Sequence, residues 1–414
     1  DWQTALEYVA NGLRNIQRDH GANSIGALVS PHSTVEELYL AGALVRGLGS
    51  DNIDYRLRNA EFGTAEGVRT LGTSIASLST LQRVLVVGSN LRKDHPLFAL
   101  RVRHAVRHGA QLNVITSQAD FAHADAWAMP VAQAVLADAA AWAQALADVA
   151  AAIAAEKGVT APAAGNVTAQ AQAIAKSLLG GERKAVLLGN AAAHHANASS
   201  LLALANWIAE QTGASVGYLT EAANTVGAQW VGAHPQTGGK HAGQMLAGSL
   251  KAAILLNTEP EFDSAAGAAA AQSLGQAEMV VTLSPFKANM AFSDVLLPIA
   301  PFTETSGSFV NAEGRLQSFH AVVKPLAETR PAWKVLRVLA NLLEIPGVAF
   351  ETSQDVLARA TAKPLAASNA VHADIRLVGP VSAPAVASIY QLDSIVRRAP
   401  SLQLTADARQ EVTA

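Results

Sequence analysis

Short runs of apolar residues recur along this chain, and their alternation with helical patterns is the feature that most limits its fold. Such runs lie at 24–30, 83–89, 112–117, 184–190, 214–219, 251–257 and 278–283. Between them, apolar residues recur at helical spacing, as around 97–108 and 199–211. Continuous apolar strands joined by helices of this length are typical of parallel sheets with right-handed crossovers. The sequence therefore predicts an α/β fold with mostly parallel sheets.

The beginning of the chain predicts a helix, a strand and a second helix in close succession. Apolar side chains from Trp2 to Ile16 fall on one helical stripe, which ends near Gly21. The strand follows at once, and Ser33 with Glu36 has the spacing of a capping box that opens the next helix. Tight joints of this kind are typical of layered α/β domains.

The composition excludes several kinds of protein and site. Half of the 414 residues are apolar and 15% are charged, which is typical of a folded protein, and about 150 residues per domain predicts two or three packed units. A formal net charge of −3, without a basic stripe interleaved with aromatics, argues against nucleic acid as a partner. The sequence contains no cysteine, so disulfides, a nucleophilic cysteine and cysteine-ligated zinc or iron–sulfur clusters are excluded within this segment.

The sequence predicts no membrane-spanning segment. The uncharged stretch 185–209 is interrupted by glycine, asparagine and histidine, and the alanine-rich stretch 131–155 contains Asp138 and Asp148. We therefore expect the protein to serve any membrane process from the aqueous side. Because the chain begins at Asp1 without a methionine, we also expect it to be a piece of a longer polypeptide.

Two glycines near predicted strand ends are the first candidates for a binding site. Gly88 and Gly189 each follow an apolar run, at the position where open α/β sheets bind ligands. Neither lies in a complete G-x-G-x-x-G motif, and the chain has no P-loop and no G-x-S-x-G elbow. A nucleotide site at one of these glycines is a weak hypothesis, and a hydrolase is weaker still.

The histidines form two candidate pairs. His104 and His108 have the spacing of a metal-binding pair on a helix, but the arginines around them favour a solvated basic face. His194 and His195, followed by Asn197, come directly after a predicted strand. Because adjacent residues on a helix point about 100° apart, they are better explained as loop or capping residues than as one site.

The segment 284–318 has the highest density of small polar groups. A short strand at 294–298 and the polar loop 303–307 precede a predicted hairpin formed by 308–310 and 316–318. Amides, hydroxyls and glycine in this density suit hydrogen bonding to a large polar ligand. They equally suit a hairpin that satisfies its own backbone and docks on a neighbouring sheet, and the residues alone do not decide between the two.

Several groups of residues resemble known families. The pattern shared by molybdopterin-dependent oxidoreductases is matched by Asp294-Val-Leu-Leu-Pro298, Glu304-Thr-x-Gly307 and Asn311-x-Glu313-Gly314-Arg315-x-Gln317. The opening helix and Asn52-Ile-Asp54 are also similar to that family. Longer stretches at 30–39, 46–54, 309–317 and 395–403 resemble the G subunit, the largest peripheral-arm subunit, of bacterial NADH:quinone oxidoreductase (complex I).

The resemblance bears directly on cofactor chemistry. Catalytic members of the wider family ligate molybdenum with a side chain shortly after the Asn-x-Asp element, and that position falls at about Ala60, which has no donor atom. Glu61 lies one position away. The polar loop is therefore expected to be a vestigial pterin cradle that now serves packing, and its residues are Glu304, Thr305, Gly307, Asn311, Glu313 and Arg315.

The resemblance implies a structural function. We expect no catalytic, cofactor-binding or metal-binding residue in this segment, and iron–sulfur clusters in the N-terminal part of the same subunit. The expected partners are that N-terminal part and the other peripheral-arm subunits, at the cytoplasmic face of the bacterial inner membrane, without direct insertion into it. The alternative is an active molybdopterin-dependent oxidoreductase fragment that uses Glu61 or a solvent oxygen at the metal, with Glu304, Thr305, Asn311 and Arg315 holding the cofactor.

The same resemblance predicts the architecture. We expect two interleaved, doubly wound, mostly parallel sheets with helices on both faces. The first α/β unit is predicted to comprise residues 1–55 and 175–350, and the second, inserted unit residues 56–174. Residues 351–414 are weakly patterned and are predicted to form a C-terminal tail or connector.

Overall fold

The computed structural model describes residues 1–63, 67–121, 127–378 and 383–410. Its strands are β1 (Ile25–Val29), β2 (Ile53–Asp54), β3 (Arg83–Val87), β4 (Gln111–Thr116), β5 (Gln133–Leu136), β6 (Lys184–Leu188), β7 (Ser215–Tyr218), β8 (Ala252–Leu256), β9 (Met279–Ser284), β10 (Val295–Pro298), β11 (Gly307–Val310) and β12 (Leu316–Phe319).

Helices and loops connect these strands. The α-helices are α1 (Trp2–His20), α2 (Val35–Gly47), α3 (Leu91–Asp94), α4 (Pro96–Arg107), α5 (Gln118–Phe121), α6 (Trp142–Lys157), α7 (Ala169–Leu179), α8 (Asn190–Ala193), α9 (Ala198–Thr212), α10 (Thr225–Trp230), α11 (Ala242–Gln244), α12 (Pro260–Asp263), α13 (Ala268–Leu274), α14 (Ala332–Leu342), α15 (Ser353–Ala360), α16 (Pro400–Gln403) and α17 (Ala406–Gln410). Within the described residues, no helix is both long enough and apolar enough to cross a membrane.

The chain forms two compact units, and their boundaries correct the prediction. The first unit comprises Asp1–Arg58, Ala222–Leu365 and Tyr390–Ala414, and the second comprises Asn59–Glu221 and Ala366–Ile389. Residues 175–221, which were predicted to lie in the first unit, belong to the second because β6 pairs with β3 and β7 pairs with β6. The predicted tail 351–414 is likewise divided between the two units.

The first unit contains a five-stranded parallel sheet in the order β10-β9-β8-β1-β2. Strands β1 and β8 are buried at every residue, which explains why both read as continuous apolar runs. Helices α1, α2 and α14 contribute their apolar stripes to the same core, for example Leu13, Leu44 and Leu336. Because the chain runs outward from β1 and β8 in opposite directions, the strand order reverses between them.

The second unit contains another five-stranded parallel sheet, in the order β5-β4-β3-β6-β7. Its core is built from α6, α7 and α9, whose many alanines permit close packing around the fully buried Trp142. The strand order reverses between β3 and β6. The predicted α/β class with parallel sheets and packed helices is thus confirmed.

Strand β11 pairs with β12 in a separate antiparallel hairpin, as predicted, and Gly314 in its turn has a positive φ of 89° that favours glycine. Two details differ from the prediction. The capping box of α2 uses Thr34 and Glu37, one residue later than the predicted pair. Strand β5, at the start of the alanine-rich stretch 131–155, was not among the predicted strands, because its residues are only partly buried and form no strong apolar run.

Candidate functional site

The carboxyl edge of the first sheet, between β1 and β8, is where the topology favours a ligand. Here the two strand-following loops contact each other directly. Ser30 N donates a hydrogen bond to Leu256 O at 3.0 Å, and the Asn257 side-chain amide donates to Ser33 Oγ at 3.0 Å. Several polar side chains are buried at this edge, among them Ser33, Glu36, Asn224, Thr258, Glu259 and Asp263.

The hairpin is attached to this edge by buried hydrogen bonds. Glu36 accepts from Ser308 N and from Ser308 Oγ, both at 2.9 Å. The Asn224 side chain accepts from Val310 N at 2.9 Å and donates to Ser33 O at 2.8 Å. Burial raises the pKa of Glu36, and it raises the pKa of Glu37 to about 7. Through these contacts, polar groups near the loop and in the hairpin form hydrogen bonds with each other.

The residues of the predicted pterin cradle are placed at the two ends of β11. At the first end, Glu304 accepts from Leu326 N at 2.8 Å, Thr305 donates to Ser306 O at 3.1 Å, and a Cβ on Gly307 would clash with Thr34. Because four residues of strand span roughly 13 Å, the residues at the opposite end are well separated from these.

At the hairpin turn, the other three predicted residues engage one another. Asn311 Oδ1 accepts from Glu313 N at 3.2 Å and from Arg315 N at 2.9 Å. Arg315 forms an ion pair with Glu313 at 3.2 Å and is 70% exposed. The turn therefore satisfies its own polar groups, and the two predicted groups do not converge on one point.

Arginines from the end of the chain also reach the carboxyl edge of the first sheet. Both Arg398 guanidinium nitrogens donate to Glu259, at 2.6 and 2.8 Å, and Arg397 Nη2 donates to Asp263 at 2.8 Å. Asp393 lies 3.8 Å from His32, in the loop after β1. No local sequence pattern indicates these pairs, because the partners lie 139 and 134 residues apart.

Ala60, where the resemblance predicts the position of a metal ligand, lies in the second unit. Ala60 donates its backbone N–H to His194 O at 3.2 Å and has no side-chain donor atom. The neighbouring Glu61 accepts from Ser199 N at 2.7 Å and from Ser199 Oγ at 2.5 Å. Because Ser199 lies in the first turn of α9, Glu61 is held as a partner of the helix N-terminus.

The carboxyl edge of the second sheet is closed by backbone packing at its reversal point. Ala191 N donates to Gly88 O at 3.0 Å, and Gly189 N donates to Val87 O at 2.8 Å. A Cβ on Gly88 would lie 2.7 Å from Ala192 N and 2.8 Å from the Trp142 ring. The two candidate glycines thus allow neighbouring backbone segments to approach closely.

The candidate histidines have separate roles. His194 is buried between Glu221, at 3.3 Å, and Ala385 O, at 2.8 Å, whereas His195 contacts Ala139 O and accepts from Asn197 N. Burial lowers the pKa of His195.

His104 lies on α4 and His108 directly follows this helix; both are exposed, with ring centroids 4.3 Å apart. His108 Nδ1 contacts His104 O at 2.8 Å. In the part of the chain that the structure describes, no three histidine, aspartate or glutamate side chains gather as a metal site.

The chain is similar to proteins of one family over most of its length. The molybdopterin oxidoreductase family matches residues 1–342. The NADPH-Fe(3+) oxidoreductase subunit alpha of Geobacter sulfurreducens is 27% identical over 406 residues, which cover 83% of this chain and 48% of that protein. The chain therefore spans about half the length of this relative.

Two further similarities are more limited. The mitochondrial NADH-ubiquinone oxidoreductase 78 kDa subunit of Candida albicans is 43% identical over 53 residues, 13% of this chain and 7% of that protein. A chain of the formyltransferase/hydrolase complex of Methylorubrum extorquens has the same fold, with a TM-score of 0.60 and 19% identity over 84% of this chain and 98% of that chain. The match over residues 1–342, together with the two parallel sheets, shows that the chain belongs to the molybdopterin oxidoreductase family.

Proposed function

We propose that this chain is a structural, non-redox-active portion of the G subunit of an NADH:quinone oxidoreductase. The observation that carries the proposal is the state of residues 60 and 61. Ala60 has no donor atom, and both Glu61 oxygens accept hydrogen bonds from Ser199. A metal at this position would have to break the contact that holds Glu61 at α9, so the residues present do not fit the metal of the catalytic family members.

The rest of the site also fits a pterin poorly. Asn311, Glu313 and Arg315 bond to one another in the hairpin turn, and Glu304 bonds to Leu326 N some distance from them. A cofactor held by these residues would need each of them to exchange an existing partner. Local similarity to the Candida albicans 78 kDa subunit supports the complex I assignment.

In this proposal the chain supports an N-terminal part of the subunit that carries the iron–sulfur clusters, and it packs with the other peripheral-arm subunits. The chain itself binds no cofactor, no nucleic acid and no bilayer interior. It works at the cytoplasmic face of the inner membrane, as a peripheral component of NADH-to-quinone electron transfer.

Purification of the intact assembly through an affinity tag on this gene product tests the proposal. We expect NADH oxidation coupled to quinone reduction, flavin and iron to copurify with the tagged subunit in a constant ratio. Copurification of a pterin-dependent activity, such as formate oxidation, without NADH:quinone activity would contradict the assignment. Loss of the assembly when residues of this chain are deleted, with the iron–sulfur part still present, would support the structural role.

A further inference from the structure

Two buried carboxylates stand at the reversal point of the first sheet, where they form a pair of acceptor sites. Glu259 follows β8 directly and Asp263 ends α12, and their side chains are only 8% and 10% exposed. Asp263 also accepts from Thr258 Oγ1 and Glu259 N through its second oxygen, which fixes its orientation. Buried carboxylates are costly unless positive charge neutralises them.

Arg397 and Arg398 supply hydrogen bonds to the two carboxylates, and the buried Arg58 guanidinium lies 3.6 Å from Asp263 Oδ1. Arg398 binds Glu259 in the bidentate geometry that planar guanidinium groups favour, and Arg397 binds Asp263 through one nitrogen. Each guanidinium also lies over an aromatic ring. The Arg398 Cζ atom is 4.5 Å from the centroid of Phe286, and the Arg397 Cζ atom is 5.2 Å from that of Phe262.

The rest of the C-terminal segment (residues 390–410) is held much less firmly. Its helical pieces are three to five residues long, and none of its described residues pairs with a strand of the sheet. Three of its large apolar side chains are exposed, Ile395 by 39%, Leu402 by 40% and Leu404 by 63%, whereas Tyr390, Leu392 and Val396 are partly buried. A segment with so little apolar burial depends on its polar anchors to stay in place.

We propose that the carboxyl edge of the first sheet is a receptor site for two consecutive arginines, which the C-terminal segment fills as a tethered ligand. A free peptide with the same arginine pair binds there once the tethered pair is removed. The site therefore recognises cationic guanidinium groups, and its carboxylates repel the phosphates of a dinucleotide. This inference does not depend on the proposed function, because it follows from the contacts of Glu259 and Asp263 alone.

Titration of a fluorescently labelled peptide of residues 390–410 into the full chain tests this receptor. The wild-type chain should bind it weakly, because the tethered segment competes at an effective concentration of order millimolar. The double variant Arg397→Ala/Arg398→Ala should bind it at least about 30-fold more tightly than the wild type, since a buried charge pair is worth this much or more. Hydrogen exchange of residues 390–410 should rise in the same variant.

Matched variants define the outcomes. A peptide with both arginines changed to alanine should not bind the double variant more tightly than it binds the wild type. The unchanged peptide should also lose its tighter binding when Glu259→Gln/Asp263→Asn is added to the double variant. The exposed pair Arg359→Ala/Lys363→Ala removes the same charge elsewhere and should behave as wild type. Equal binding of the arginine and alanine peptides, or unchanged exchange of residues 390–410 in a folded double variant, would overturn the proposal.

A second variant keeps the test decisive if the alanine variant does not fold. Arg397→Lys/Arg398→Lys retains both charges but loses the bidentate, planar contacts. We expect residues 390–410 of this lysine variant to exchange faster than those of the wild type. We expect its affinity for the peptide to lie between the affinities of the wild type and the alanine variant. Exchange at the wild-type rate in the lysine variant would show that general attraction holds the segment, and the receptor proposal would fail.

Discussion

At the scale of single residues, the ability of a polar side chain to bind a metal or ligand depends on whether it already has a hydrogen-bond partner. Glu61 is the carboxylate next to position 60, and Ser199 donates hydrogen bonds to both of its oxygens. Glu36 and Asn224 are deeply buried, and both accept hydrogen bonds from the hairpin strand. The polar groups that could contact a ligand are thus partners of other groups in the chain.

The pairing of Glu61 with Ser199 predicts a measurable coupling. Glu61→Ala removes two hydrogen bonds at the N-terminus of α9 and should lower the free energy of unfolding by about 1–2 kcal/mol. Ser199→Ala removes one of them and should cost less. A double-mutant cycle by urea unfolding should give a coupling of about 0.5–1.5 kcal/mol. Coupling near zero would show that Glu61 is free for another role.

Burial of Glu37 predicts a pH-dependent stability. Its pKa is raised from 4.5 to about 7, chiefly by desolvation, so the folded state binds a proton that the unfolded state releases. The resulting stabilisation is complete below pH 4.5 and is lost as the pH rises to about 7. Between pH 5 and 8 the loss of stabilisation amounts to about 2–3 kcal/mol.

The variant Glu37→Gln should remove most of that pH dependence, because its amide stays neutral. Unfolding by urea at pH 5 and pH 8 measures the difference for the variant and the wild type. Glu7→Gln, on the exposed face of α1, is the control and should leave the wild-type dependence unchanged. An equal loss of stability in wild type and Glu37→Gln would contradict the raised pKa.

At the scale of elements, the hairpin is the part whose position depends most on a few side chains. Strand β11 is linked to the loop after β1 through Asn224, which contacts Val310 N and Ser33 O. Asn224→Ala would leave both backbone groups buried without a partner and should cost about 2–4 kcal/mol. Thermal or urea unfolding measures this cost. Asn341→Ala, at an exposed position on α14, should change stability by less than about 0.5 kcal/mol. Equal effects of the two changes would show that the link is unimportant.

The strands could be predicted because buried parallel strands are continuous apolar runs. Which strands pair with each other could not be predicted. The predicted runs at 83–89 and 184–190 contain β3 and β6, but nothing local indicates that they are neighbours in one sheet. The division between units was misplaced for this reason. Strand β5, whose residues are only partly buried, lacks a strong apolar pattern and was missed.

The candidate site was less predictable still. The polar loop was identified as a hairpin with unusual polar content, but its buried partner Glu36 lies 272 residues from Ser308. Contacts of such sequence separation leave no periodic signal. The absence of a side-chain donor atom at position 60 could be read from the sequence, since it depends on the identity of one residue and not on its surroundings.

At the scale of the whole molecule, the chain is a two-unit member of the molybdopterin oxidoreductase family without cysteine. The chain's own groups make contacts at both reversal points, where such sheets bind ligands. In the first unit these are the C-terminal arginines, and in the second they are backbone contacts around Gly88 and Gly189. These contacts agree with the supporting function that we propose.

Metal and pterin content tests that assignment most directly. The protein should be produced with molybdate and tungstate in the medium and then measured for both metals by mass spectrometry and for pterin by fluorescence of its oxidised form. We predict only trace amounts per chain, unchanged by Glu61→Gln. Stoichiometric molybdenum or tungsten with an extractable pterin, lowered by Glu61→Gln, would contradict the account.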